Sequence, residues 1–242
     1  MHHRDLYIAH RAFWTLETRA KAYEIYMKER KNWKKWPENV DLEEIRKLLE
    51  FIPKWDRFFR MNKDPVAVSE VYKEIRPVVV QLKNERLEDV NFTVDLMEQI
   101  RQIFDKVAPC SGKAYESTDC SKILHTILPH LIVMWDRKIR EGILGDENKN
   151  RGAVYALEFL PQMQIELREA IATCMDEKGL SREEAIRCIY DMCGYESLPK
   201  LIDEHNYVIY TMSDDFKGYI EDQLRVNQIN FKEYQRLLKK SV

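Results

Sequence analysis

Apolar residues that recur every three or four positions, without the alternation of a strand, most limit the folds open to this chain. At its start Leu6, Ala9, Phe13, Leu16, Ala20, Tyr23 and Met27 keep that spacing. It lines one face of a helix but would fall on both faces of a strand. The spacing predicts one long amphipathic helix over residues 4–31. Downstream, Asp41, Asp64 followed by Pro65, Thr93, and Ser181 with Glu184 three positions later are helix-start signals. A short polar side chain there accepts a backbone N–H that the first turn leaves unbonded.

These signals predict helices over 41–52, a further one opened by Pro53, and one over 65–75 that Pro77 ends. A second pass is expected from Val78, then a helix over 93–107. Residues 108–118, with Pro109, Ser111 and Gly112, read as a loop. Asp119 is the expected cap of a helix stopped by Pro129, and Asp136 of the next one. A long helix over 149–177 with a kink at Pro161 follows, then 181–193 closed by Gly194, then 198–210 and 230–239.

The fold class is therefore all-α. Only seven Gly and eight Pro among 242 residues suit short connections, and 45% apolar residues suffice for one core. The expectation is a single compact helical domain over 1–242, or two lobes of about 1–107 and 108–242 flanking a cleft. The longest purely apolar run, residues 131–135, is far shorter than the roughly 20 needed to span a bilayer. Without a span or an apolar leader, the protein is expected in the cytoplasm.

Five cysteines with no C-x-x-C pair speak against a disulfide framework and against a zinc or iron–sulfur site. The six histidines are scattered, so neither metal nor cofactor is expected. Walker, dinucleotide-binding, H-E-x-x-H and G-x-S-x-G motifs are missing, which removes those enzyme classes. A net charge of −2 gives no general affinity for polyanions, so a nucleic-acid surface would have to be a local patch. One such patch is Lys28, Arg30, Lys31, Lys34 and Lys35, with Trp33 and Trp36 between them. It reads either as cations complementing a helix C-terminus or as a phosphate-contacting strip with interleaved aromatics.

Chemistry is concentrated in residues 119–140. There a short helix carrying Lys122 ends at Pro129, an apolar strip follows, and Trp135-Asp136-Arg-Lys-Ile-Arg140 opens another helix. An N-cap carboxylate is rigidly held and faces the positive end of its helix. Arg137, Lys138 and Arg140 beside it could dock an anionic substrate. The plain structural alternative makes Asp136 an ordinary cap, Lys122 a surface residue and 131–135 a buried connector.

The lysine, the apolar strip and the capping aspartate resemble the lysine-to-aspartate section of helix-hairpin-helix DNA glycosylases. In that superfamily a hairpin lysine precedes a V-D-x-H-V-x-R segment whose aspartate caps the next helix. Leu124-His-Thr-Ile-Leu-Pro129 with the downstream Trp135-Asp136 also resembles bacterial proteins related to this fold, some of which act on modified bases. The likeness covers about 22 residues. Glu116-Ser-Thr-Asp-Cys-Ser121 stands where the hairpin glycines would be, and Lys138 where the histidine would be.

The resemblance implies a multi-helix orthogonal bundle and excision of a modified or damaged base from a DNA duplex, acting as a monomer without cofactor. Asp136 would stabilise positive charge on the sugar and orient the nucleophile. Lys122 would either attack C1′ as an amine or hold a phosphate. DNA contacts would come from Lys113, Ser121, His125, Arg137, Lys138 and Arg140, and the extruded base would be received by Trp135, Trp14 or Phe13. Repair of host DNA and attack on modified phage DNA both remain open. The rival readings are a non-catalytic module that binds nucleic acid or protein through the basic strip, and a scaffold with no nucleic-acid affinity.

Overall fold

A computed structural model describes residues 1–30, 36–38, 40–56, 59, 64–111, 115–194 and 197–239. Lys31, Trp33, Lys34 and Lys35 of the basic strip, and Lys113, lie outside the described residues. Every regular element among the described residues is helical. None of these helices is long and apolar enough to cross a membrane.

The expected first helix is two. Helix α1 (His3–Leu16) stops at Glu17, whose backbone is extended, and α2 (Ala20–Arg30) begins three residues on. Apolar periodicity runs unbroken across this point, so it could not show the break. Glu17 holds the break instead: its carboxylate accepts from Arg19 N at 2.9 Å and from the hydroxyl of Tyr207 at 3.2 Å.

Pro53 opens no new helix, since α3 (Leu42–Trp55) continues through it. Helix α4 (Pro65–Leu82) likewise runs through Pro77. A helical proline costs one backbone bond, and burial of Leu48, Leu49 and Ile52 on α3 and of Tyr72, Ile75 and Val79 on α4 outweighs it. Helix α5 (Val94–Val107) is capped by Thr93 as expected. A short 3-10 turn, Ala108–Ser111, leads towards α6 (Ser117–Ile127). Asp119 lies buried in the first turn of α6 and is not its cap. Helix α7 (Arg137–Leu144) starts from Asp136 and ends at Gly145 in the left-handed region, φ +70°.

The kink expected at Pro161 is a π-turn. Helix α8 (Gly152–Val154) passes through Tyr155–Phe159, where Leu160 N bonds back to Tyr155 O, and continues as α9 (Leu160–Lys178) with Pro161 in its first turn. The wider turn makes room for the proline ring. Helix α10 (Arg182–Cys193) has the expected capping box and Gly194 end. Helix α11 (Leu198–Asn206) runs into a second π-turn, Tyr207–Thr211, before α12 (Ser213–Arg225) and α13 (Phe231–Leu238).

The main core draws on residues from Leu6 to Ile202 and therefore crosses the 107/108 boundary considered above. A second cluster joins α1 to the π-turn after α11 and to α12 and α13. Helix α11 runs through the middle, packed on α1 and α9, and all nine of its residues are buried.

Candidate active site

The strip between α6 and α7 belongs to no sheet, so side chains must satisfy its backbone. His125 Nδ1 donates to Ile132 O at 2.6 Å, and the Tyr155 hydroxyl donates to Val133 O at 2.6 Å. Trp135 N donates to Ser121 Oγ at 3.2 Å. Tyr23 and the other ring nitrogen of His125 meet at 2.7 Å. With Nδ1 donating, Nε2 accepts from the tyrosine hydroxyl, which defines a neutral tautomer. Burial moves His125 the same way, down to about 3.

This scaffold delivers Asp136 to one wall of a cleft of about 530 Å³. Both carboxylate oxygens are held: Oδ1 accepts from Ile139 N at 2.9 Å, the cap bond, and Oδ2 accepts from Thr211 Oγ1 at 2.6 Å. Thr211 ends the π-turn after α11, whose wide turn also places Tyr207 in the cleft. Lys122, two turns into α6, lines the same cleft and pairs with Asp56 at the end of α3. Both of these side chains are mostly covered. Half-buried Trp55, with Phe13, Leu16, Glu17, Thr18 and Arg19 from the break between α1 and α2, completes that side.

Helix α11 also lines the cleft, through Lys200 and Asp203. Lys200, 1% exposed, donates to Asp203 Oδ2 at 2.7 Å and lies 3.5 Å from Glu204 Oε1. Its ammonium sits 4.5 Å from the ring centre of Phe13, 5.1 Å from Tyr23 and 5.5 Å from Trp55. Electron-rich ring faces attract a cation, and the attraction grows when water is excluded. Glu204 is held in turn by His10 at 2.7 Å. Burial raises the pKa of Asp203, with Lys200 opposing the shift.

Lys122, Asp136 and Phe13 thus come together, and the remaining sequence candidates divide. Trp135 borders the cleft but its ring is core: it is 1% exposed, packs edge-on against Phe104 and Tyr155, and donates Nε1–H to Ser117 O. Trp14 packs with the second hydrophobic cluster and does not line the cleft. Ser121, His125 and Arg140 are buried, so as placed they cannot touch DNA. Arg140 donates to Ser117 Oγ and Glu147 O and lies over Trp135, which makes it a brace for the start of α7. Arg137 and Lys138 are exposed on α7, paired with Glu147 and Glu141.

Sequence reasoning missed Lys200, Asp203, Trp55, Tyr207 and Thr211. The sequence carried no signal for the first two: Lys200, Asp203 and Glu204 fall at i, i+3 and i+4, the polar face of an ordinary amphipathic helix, and only the structure shows that face to be buried too. Buried charges are rare unless paired, and these three are paired with one another. Among the described residues, the cleft gathers no group of three or more His, Cys, Asp or Glu ligands about one point. No protein-family model, curated protein or solved structure matches the chain.

Proposed function

We propose that the cleft is the active site of a DNA glycosylase that hydrolyses the N-glycosidic bond of a modified or damaged base. The observation that carries this reading is that Asp136 and Lys122, singled out as a catalytic pair by their resemblance to glycosylase residues, line one water-accessible cleft. A base turned out of the duplex enters between Trp55 and Tyr207, half-buried aromatics that offer stacking surface.

As the C1′–N bond breaks, its electron pair leaves with the base and positive charge grows on the sugar. The Asp136 carboxylate, fixed by Ile139 N and Thr211, stabilises that charge without reorganising. Water then attacks C1′ and gives up a proton, the base gains one, and an abasic site remains. Lys122, engaged by Asp56, serves as a held positive charge for a substrate phosphate.

The test incubates wild type and Asp136→Asn with duplexes carrying oxidised, alkylated or deaminated bases, and with phage DNA containing substituted cytosines, and counts abasic sites. Asparagine is as good an N-cap as aspartate, so the variant keeps its fold. Abasic sites should form with wild type and at least about 100-fold more slowly with the variant. Binding without abasic product on any substrate would replace the reading with a non-catalytic nucleic-acid module.

A further inference from the structure

Far from the cleft, the first turn of α1 meets the last turn of α9, and three ligand groups converge. The rings of His2 and His3 stack with centres 4.7 Å apart and planes 24° apart. Both present Nε2 to Glu177, whose Oε1 lies 2.8 Å from His2 and Oε2 3.7 Å from His3. One ligand atom from each residue can be chosen so that all three lie within 4.8 Å of one another.

The tautomer of His3 follows from its neighbours. Thr173 Oγ1 spends its only proton on Ala170 O, 2.9 Å away, so it can only accept from His3. It accepts from His3 N at 3.0 Å and from Nδ1 at 3.3 Å. The proton of the neutral ring is therefore on Nδ1, and the Nε2 lone pair faces a carboxylate oxygen. Two lone pairs face each other comfortably only across a cation.

We propose that His2, His3 and Glu177 bind a divalent transition ion of the zinc, nickel or cobalt class. Two imidazoles and one carboxylate suit such ions better than calcium or magnesium, which prefer all-oxygen shells. A tetrahedral ion with bonds of about 2.1 Å needs ligand atoms roughly 3.4 Å apart, so the exposed Glu177 side chain and the His2 ring would both turn inward on binding. Water takes the fourth position. Thr173 is the outer partner that fixes the tautomer of a ligating histidine. His2 is the weaker ligand, because its Nδ1 accepts from Arg4 N at 3.2 Å and would take up the proton displaced from Nε2. The ion would fasten α1 to α9.

The experiment uses the untagged full chain, stripped with chelator and desalted, titrated with Zn²⁺ and Ni²⁺ by calorimetry and with Co²⁺ by absorption. One ion per chain should bind and raise the unfolding temperature. Glu177→Gln, an exposed change compatible with folding, should weaken binding at least about tenfold. His3→Gln should abolish it, and His2→Asn, which keeps the helix cap, should weaken it. The Co²⁺ complex should lack the thiolate charge-transfer band. Absence of stoichiometric binding, unchanged affinity in Glu177→Gln and His2→Asn, or a thiolate band that places the ion on a cysteine would each overturn the proposal.

Discussion

The two charged walls of the cleft hold their charge in opposite ways. On the α6–α7 side, Lys122 and Asp136 are part-exposed, and each has its own partner, Asp56 for the lysine and a cap bond plus Thr211 for the aspartate. On the α11 side, Lys200, Asp203 and Glu204 form a triad sunk in the core beneath three aromatic rings. Substrate can compete for charges of the first kind at little structural cost. Charges of the second kind are bound up with the stability of the central helix, so their loss and a loss of chemistry would look alike in an activity assay.

The sharpest way to break this contrast is Lys200→Met. It keeps much of the side-chain volume but leaves Asp203 and Glu204 buried without their cation. Removing one partner of a buried pair costs about 3–5 kcal/mol. The midpoint of urea unfolding should fall accordingly. A loss under about 1 kcal/mol, the range of exposed pairs, would mean that the triad is not sealed from water and that the walls are alike.

The same contrast explains what could be read from the sequence. Helix ends at Asp41, Asp64, Thr93, Asp136, Ser181, Gly194 and Asn230 were legible because cap chemistry is decided within three residues. The break at Glu17 was not, since its partner Tyr207 lies 190 positions away. Asp136 stood out because its cap bond to Ile139 N is decided within three residues, and Lys122 through the family resemblance. Their other partners, Thr211 and Asp56, lie 75 and 66 positions away and were not legible. Lys200 did not stand out, because its environment is assembled from Phe13 on α1, Tyr23 on α2 and Trp55 on α3. Trp135 shows the reverse error. An aromatic beside a capping aspartate reads equally well as a platform or as core, and only the packing against Phe104 and Tyr155 decides for core.

Acid should separate the walls next. His125, which holds the strip behind Asp136, has its pKa lowered from 6.5 to about 3 by burial. The stability this neutral ring contributes is complete above pH 6.5 and is lost as pH falls towards 3. Between pH 6.5 and pH 5 the loss is about 2 kcal/mol, at 1.36 kcal/mol per pH unit. Asp203, with its pKa raised, has the opposite sign: its contribution is complete below 3.8 and is lost as pH rises through the raised value. Urea unfolding across this range should show wild type losing more stability in acid than His125→Asn. Equal slopes would mean that His125 does not stay neutral behind the strip.

The smallest effects belong to the wall assigned to chemistry. Lys122→Gln breaks a mostly covered ion pair but leaves Asp56 an amide donor, which should cost about 1–2 kcal/mol, more than an exposed pair and less than a fully buried one. Asp136→Asn retains the cap and should cost no more than a few tenths of a kcal/mol, whereas Asp136→Ala loses both the cap and the Thr211 bond and should cost about 1–2 kcal/mol. The decisive measurement pairs each unfolding curve with DNA binding and abasic-site formation. If Asp136→Asn unfolds like wild type and yet forms no abasic sites, the carboxylate is present for its charge. If Asp136→Asn and Asp136→Ala lose stability and activity in proportion, Asp136 is only a helix cap, and the wall that looked functional is as structural as α11.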